Sequence, residues 1–183
     1  MAQNAAVSLD LTVQVKAVND APLIDAPSYI VATEDTVFVL NRVISTSDAD
    51  YVFAPSLNSL LTVSLACEHG SIGLDDQLSV FFLVNDKAEK VFKGTLNDIN
   101  KVLEVVTYAP DVDFNGYDTI RIKVSDNGHF GSDPNSPSME SAAPAPLVGS
   151  HNITVYVRPV EDQWTISSHG AWQAVAHSPL GLR

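Results

Sequence analysis

The chemistry this sequence can offer rests on oxygen. Aspartate, glutamate and asparagine gather in short clusters at Asn19-Asp20, Glu34-Asp35, Asp48 and Asp50, Asp75-Asp76, Asp111 and Asp113, Asp126, and Glu161-Asp162. Carboxylate and amide oxygens brought together from separate loops are what a hard divalent cation needs. Calcium takes roughly six to eight of them. The rival chemistry for a carboxylate pair is glycoside hydrolysis, with two acids about 5–10 Å apart across a substrate. A local Asp-x-Asp pair such as Asp111 and Asp113 serves far more readily as ligand or turn former. No Gly-x-Ser-x-Gly, P-loop or dinucleotide fingerprint occurs. His69, His129, His151, His169 and His177 lack metal-ligand spacing, and Cys67 is the single cysteine. Disulfides within the chain, thiolate zinc sites and Cys-x-x-Cys redox chemistry are thereby excluded. The expectation is a protein that is not an enzyme.

The overall balance agrees with a cation-binding surface. Twenty-two acidic residues stand against 10 basic ones, a formal charge of −12. Such an excess disfavours nucleic acid as a partner, because phosphate contacts require clustered Lys and Arg. It suits divalent cations or simple solubility. A hydrophobic fraction of 45% in 183 residues is enough for a real core. No apolar run of about 18 residues is present, so direct membrane insertion through a helix is not expected. No basic-then-apolar leader is visible at the N-terminus. Asn152-Ile153-Thr154 is an N-glycosylation sequon.

The elements that must position these oxygens read mostly as strands. Period-two alternation runs through Val7–Val18, Tyr29–Ala32, Thr36–Leu40, Leu60–Cys67, Ser79–Val84, Tyr117–Val124 and Asn152–Val157. Gly, Pro, Asn and Asp separate them, as in an antiparallel sandwich. Cys67 sits in one alternating run and reads as a small buried apolar residue. One segment departs from the pattern. Thr95-Leu96-Asn97-Asp98 resembles a capping box with Asp in place of Glu. Leu96, Ile99, Leu103 and Val106 follow at helical spacing, which predicts one short helix near 96–104. Asp126–Gly149, rich in Ser, Pro, Gly and Ala, reads as one long loop between the last two strands. Asn115-Gly116 is a turn signal, with the glycine expected at positive φ. Asp75-Asp76 reads as a solvated turn.

Two segments nearly repeat each other. Leu11-Thr12-Val13-Gln14-Val15-Lys16-Ala17-Val18-Asn19-Asp20 returns as Ile153-Thr154-Val155-Tyr156-Val157-Arg158-Pro159-Val160-Glu161-Asp162. A strand with an acidic exit, recurring in this way, marks a tandem array. The expected organisation is residues 1–22 as the terminal strand and linker of a preceding repeat. Residues 23–160 form one repeat, and 161–183 form a linker with the start of another repeat or a tail. The tail carries Trp172, His169 and His177 without alternation.

Read in order, the acids carry a family resemblance. Val18-Asn19-Asp20-Ala21-Pro22 resembles the linker of cadherin-like repeats, Asp48-Ala49-Asp50 their Asp-x-Asp element, and Val31–Thr36 their glutamate-bearing turn. Asp111-Val112-Asp113 stands where their Asp-Arg-Glu element falls, ahead of Asp126. The stretch Phe92–Asn100, followed by Tyr108–Thr119, is similar to tandem cadherin-like repeats of large surface adhesins. Glu68-His69-Gly70 with Asp98-Ile99 and Tyr108 resembles the related CSPG-type repeats. The likeness covers roughly residues 11–162.

This resemblance implies a mainly β, antiparallel Greek-key β-sandwich of the cadherin or immunoglobulin-like kind, placed extracellularly or at the cell surface. It implies Ca2+ at the junctions between repeats, with neighbouring repeats of the same protein as partners. Asn19, Asp20, Asp48, Asp50 and Asp126 would serve the N-terminal junction. Glu34, Asp111, Asp113 and Asp162 would serve the C-terminal one. The sequence departs from the family at Ala17, where a linker aspartate stands, at Asp113, a glutamate in the family, and at Gln163-Trp164, which replaces Ala-Pro. The competing expectation is a module that binds a cell-surface glycan or protein through the 126–149 loop.

Overall fold

The computed structural model describes residues 9–13, 18–53, 59–75, 79–128 and 145–161. In chain order the elements are β1 (Leu23–Asp25), β2 (Tyr29–Thr33), β3 (Phe38–Asn41), β4 (Ser45–Ser47), α1 (Ala49–Phe53), β5 (Leu61–Ala66) and β6 (Gly70–Gly73). They continue with β7 (Phe81–Asn85), β8 (Glu89–Gly94), α2 (Leu96–Leu103), β9 (Val105–Pro110), β10 (Gly116–Ser125) and β11 (Val148–Arg158).

The alternation seen in the sequence becomes two sheets that face each other. A six-stranded sheet runs β2-β11-β10-β5-β8-β7, and a three-stranded sheet runs β3-β9-β6. The chain crosses repeatedly between them: β2 to β3, β5 to β6, β6 to β7, β8 through α2 to β9, and β9 to β10. Inward residues of the large sheet, among them Leu61, Val63, Leu65, Phe92, Ile120, Ile122, Ile153 and Val155, are buried against Leu40, Ile72, Val106 and Tyr108 of the small one. This is the β-sandwich expected, with one difference. All pairs are antiparallel except β2, which lies parallel to β11. Reaching that edge in parallel orientation lets β2 end beside the end of β11, with Thr33 opposite Arg158.

Three strands cannot cover six, and the helix takes up part of the remainder. Thr95 caps α2: its Oγ1 accepts from the Asp98 amide at 3.2 Å and donates to Asp98 Oδ2 at 2.7 Å. The Asp98 carboxyl is held below its usual range, first by the Thr95 hydroxyl and then by Lys101. The Thr95 half of the box forms, while the shorter Asp98 side chain returns to the Thr95 hydroxyl in place of its backbone N–H. Ile99, Val102 and Leu103 bury the inner face of the helix. Val106, expected as a fourth helical position, belongs to β9 instead. The helix stops because Val105 and Val106, β-branched and followed by Thr107 and Tyr108, favour the ladder with β3.

Some elements lie outside what alternation could announce. The strands β1, β4 and β6 and the helix α1 are three to five residues long, too short for a periodic signal, and β8 and β9, six residues each, carry no clear apolar–polar alternation. Residues 9–13, expected within a long strand, carry no strand and are exposed, while Val18 makes a single bridge. A strand needs a neighbour to satisfy its backbone, and none lies beside 9–13 among the described residues.

One buried carboxylate ties the two sheets together. Asp118 on β10 is 4% exposed. It accepts from the Glu68 and His69 amides at 3.1 and 3.0 Å, from its neighbour Thr119 at 2.6 Å, and from Tyr108 Oη at 2.8 Å. Burial, and then the Asp118 carboxylate, push the Tyr108 phenol well above its ordinary pKa, so it stays a donor. Tyr108→Phe should destabilise the domain by about 1–2 kcal/mol, the cost of leaving a buried acceptor short of one partner. Urea denaturation checks this, and an unchanged midpoint would remove the clamp from the account.

Candidate metal centre

At the pole where β4 ends and β11 begins, the sequence brings three chain segments together through polar side chains. Asp126 follows β10 and is 0% exposed. Its amide donates to Leu147 O at 3.2 Å. Its Oδ1 accepts from the Gly128 and Leu147 amides, both at 2.8 Å. Its Oδ2 accepts from Asn19 Nδ2 at 2.5 Å. One carboxylate therefore joins the turn after β10, the approach to β11 and the linker ahead of β1.

The second part of the pole is the turn into α1. Asp48 is 2% exposed and caps α1. Its Oδ1 accepts from the Asp50 amide at 2.9 Å and the Tyr51 amide at 3.2 Å, as an N-cap side chain should. Asp50 Oδ2 in turn accepts from the Asp20 amide at 2.7 Å. The leading linker is thus held twice, by Asn19 to Asp126 and by Asp20 to Asp50. All five residues of this group hydrogen-bond to another member: Asn19 to Asp126, the Asp20 amide to Asp50, and the Asp50 amide to Asp48.

Supporting contacts set the height of this pole. Asn100 of α2 binds Thr46 like a strand neighbour: its Oδ1 accepts from the Thr46 amide at 2.8 Å and its Nδ2 donates to Thr46 O at 2.9 Å. Leu23 opposes Ser47 in the β1–β4 pair, and Thr46 Oγ1 donates to Leu23 O at 2.8 Å. On the far side, Pro22 O lies where a Cβ on Gly149 would be, only 2.0 Å away. Only glycine lets the linker backbone pass so close to β11. Sequence reasoning missed Asn100 and Gly149. A glycine just inside a strand was their one available signal.

Two oxygens at this pole lack partners. Asn19 Oδ1 and Asp48 Oδ2 are buried and accept no hydrogen bond from the described residues. Buried acceptors are nearly always satisfied, so a pair of orphans beside each other's segments calls for a donor or a cation. The Asp48 carboxyl titrates above its ordinary value. Burial is the main cause, opposed by the Tyr51 and Asp50 amides and reinforced by the Asp50 and Asp126 charges. The donors available are carboxylate, amide and backbone oxygens, which fit calcium or magnesium and not a soft metal. Among the described residues, no three His, Cys, Asp or Glu side chains already stand as a ready-made cluster. Direct hydrogen bonds, Asn19 to Asp126 above all, draw the pole together.

The other expected group is divided among separate partners. Glu34 is 3% exposed. Its Oε1 accepts from the Val160 amide, its Oε2 accepts from Asn115 Nδ2 at 3.1 Å, and its own amide donates to Arg158 O at 3.0 Å. It clamps the chain as it leaves β11. Asp111 is paired with Lys87 at 2.5 Å, and the Asp113 amide donates to Asp35 Oδ1 at 3.3 Å. Asp162 lies outside the described residues, as do Asp76, the tail, and most of the 126–149 loop. Asn152 is exposed on β11, opposite Arg121. Cys67 is buried as expected, and burial pushes its thiol up to about 11.

No protein-family model matches the chain, and no curated protein matches it. One solved structure is similar: AggA, the major subunit of aggregative adherence fimbriae type I from Escherichia coli. The identity is 13% and the TM-score 0.37, over 79% of this chain and 100% of that one.

The raised Asp48 carboxyl makes a signed prediction. Between the ordinary carboxylate range and the raised folded-state value, the folded chain holds a proton there that the unfolded chain has released. Stability therefore falls as pH rises from the ordinary carboxylate range through the folded-state value. Asp48→Asn keeps the capping oxygen and removes the buried charge. In chelator at neutral pH the variant should melt higher than wild type, and it should lack this component of the pH dependence. A lower melting temperature for the variant under those conditions would contradict the assignment.

Proposed function

We propose that this chain is a calcium-binding β-sandwich module of an extracellular adhesion or matrix protein, and that the ion orders the linker leading into the sandwich. The observation that carries the reading is the buried pole itself. Asn19, Asp48 and Asp126 are 3%, 2% and 0% exposed, and two of their oxygens are orphaned. Among the described residues, no basic side chain makes an ion pair with any of the three. A divalent cation would supply the missing partner to Asn19 Oδ1 and Asp48 Oδ2 and neutralise the repulsion among Asp48, Asp50 and Asp126.

The role follows from what the pole holds. Asn19 and Asp20 belong to the linker, whereas Asp48, Asp50 and Asp126 belong to the sandwich. An ion bound by both sets converts a few hydrogen bonds into a stiff joint and fixes the direction in which a preceding repeat points. Function on this reading is mechanical: calcium sets the spacing and angle of successive modules, and chemistry on a substrate is not required. The C-terminal group of Glu34, Asp111, Asp113 and Asp162 would complete its ligands from a following repeat.

Calorimetric titration of chelator-treated protein with calcium, with melts alongside, tests this. Calcium at about one hundred times its dissociation constant should stabilise the chain by about 2.7 kcal/mol. Asp126→Ala should abolish both the heat and the shift. Absence of heat and of any melting shift in the wild-type chain would refute the reading.

A further inference from the structure

The chain contains two Asn-Gly dipeptides, Asn115-Gly116 and Asn127-Gly128. In such a pair the glycine backbone nitrogen can attack the asparagine side-chain carbonyl carbon. A new C–N bond closes a succinimide ring, the side-chain amide leaves as ammonia, and water then opens the ring to aspartate or isoaspartate. Water is the only co-reactant, and no electrons are transferred. In a folded chain, the reaction depends on whether the side-chain amide and the next nitrogen are free to meet.

The structure treats the two sites oppositely. Asn127 is held on every side. Its Nδ2 donates to Leu60 O at 2.6 Å, its Oδ1 accepts from Thr62 Oγ1 at 2.9 Å, and its amide donates to Ser125 Oγ at 3.2 Å. Its would-be nucleophile, the Gly128 nitrogen, donates to Asp126 Oδ1 at 2.8 Å. Asn115 is exposed, and among the described residues its side chain makes one hydrogen bond, Nδ2 to Glu34 Oε2 at 3.1 Å. Gly116 has φ 125° and nothing within 4 Å of where a Cβ would project. It is the first residue of β10, opposite Val157, so freeing it disturbs only the end of the ladder.

The product would not be neutral to the fold. Asn115 gives Glu34 one of its two side-chain hydrogen bonds, and the other comes from the Val160 amide at the chain's exit. Deamidation replaces that donor with a carboxylate facing a carboxylate that is 3% exposed. Like charges at such a site repel: the exposed carboxylate at 115 turns to solvent, Glu34 is left buried with one side-chain donor, and its hold on Val160 loosens. We propose that Asn115-Gly116 is a site of spontaneous deamidation whose product opens the Glu34 clamp on the exit from β11.

Cleavage after Lys101, Arg121 and Lys123 puts Asn115 and Asn127 on separate tryptic peptides, the second running past Arg158 because Pro159 follows it. The folded full-length chain, incubated at mildly alkaline pH, should gain the amide-to-acid mass increment and isoaspartate on the Asn115 peptide at least about tenfold faster than on the Asn127 peptide. Denaturant should bring the two rates together. Equal rates in the folded chain, or a faster Asn127, would overturn the site. Amide exchange at Val160 tests the coupling. Asn115→Asp should accelerate it about tenfold relative to wild type, whereas Asn115→Gln, which retains a donor, should not. Unchanged exchange in Asn115→Asp would overturn the clamp-opening step.

Discussion

A carboxylate removed from water must be compensated where it sits, and Asp126 meets that demand with three segments of chain. It is fully buried and uses both oxygens, on Gly128 and Leu147 through one and on Asn19 through the other. The cost of leaving such a group unsatisfied far exceeds the worth of any single contact it makes. The turn after β10, the approach to β11 and the leading linker are therefore obliged to meet. The pole of the sandwich is organised around that obligation more than around apolar burial.

A second buried carboxylate plays a comparable part inside the sandwich. Asp118 collects the Glu68 and His69 amides and the Tyr108 hydroxyl, so the turn into β6, strand β9 and strand β10 are pinned together. At the opposite end Glu34 does the same for Asn115 and Val160. The acidic bias of the chain is thus partly architectural. Glu34 and Asp118 are buried and spend their oxygens on the protein's own donors, whereas Asp48, at the pole it shares with Asp126, keeps one oxygen unspent. That contrast separates a carboxylate that holds the fold from one available to an ion.

Much of the fold was legible beforehand because its physics is local. The alternation of Leu60–Cys67, Tyr117–Val124 and Asn152–Val157 announces strands with one buried face, although β11 begins earlier, at Val148, and Thr95 with Asp98 announces the start of α2. Short strands such as β1 and β4 carry no comparable signal, because three residues cannot display a period. Their existence depends on partners far away in sequence: Leu23 on Ser47, and Thr46 on Asn100. The parallel pairing of β2 with β11 was equally hidden, since alternation reports a face and says nothing of direction.

For the candidate site, the residue types were determined by the sequence alone: oxygen donors, no thiolate set, and an acid excess that turns away phosphate. The tertiary structure decided which of those acids share a pole. It placed Asn19, Asp20, Asp48, Asp50 and Asp126 together and distributed Glu34, Asp111 and Asp113 among other partners. It likewise separated two identical Asn-Gly dipeptides into one held and one exposed. Residue type carries intrinsic chemistry, such as charge and donor count. Burial, distance and the loss of water arise only when remote segments meet, and they decide which oxygens are satisfied and which are left without a partner.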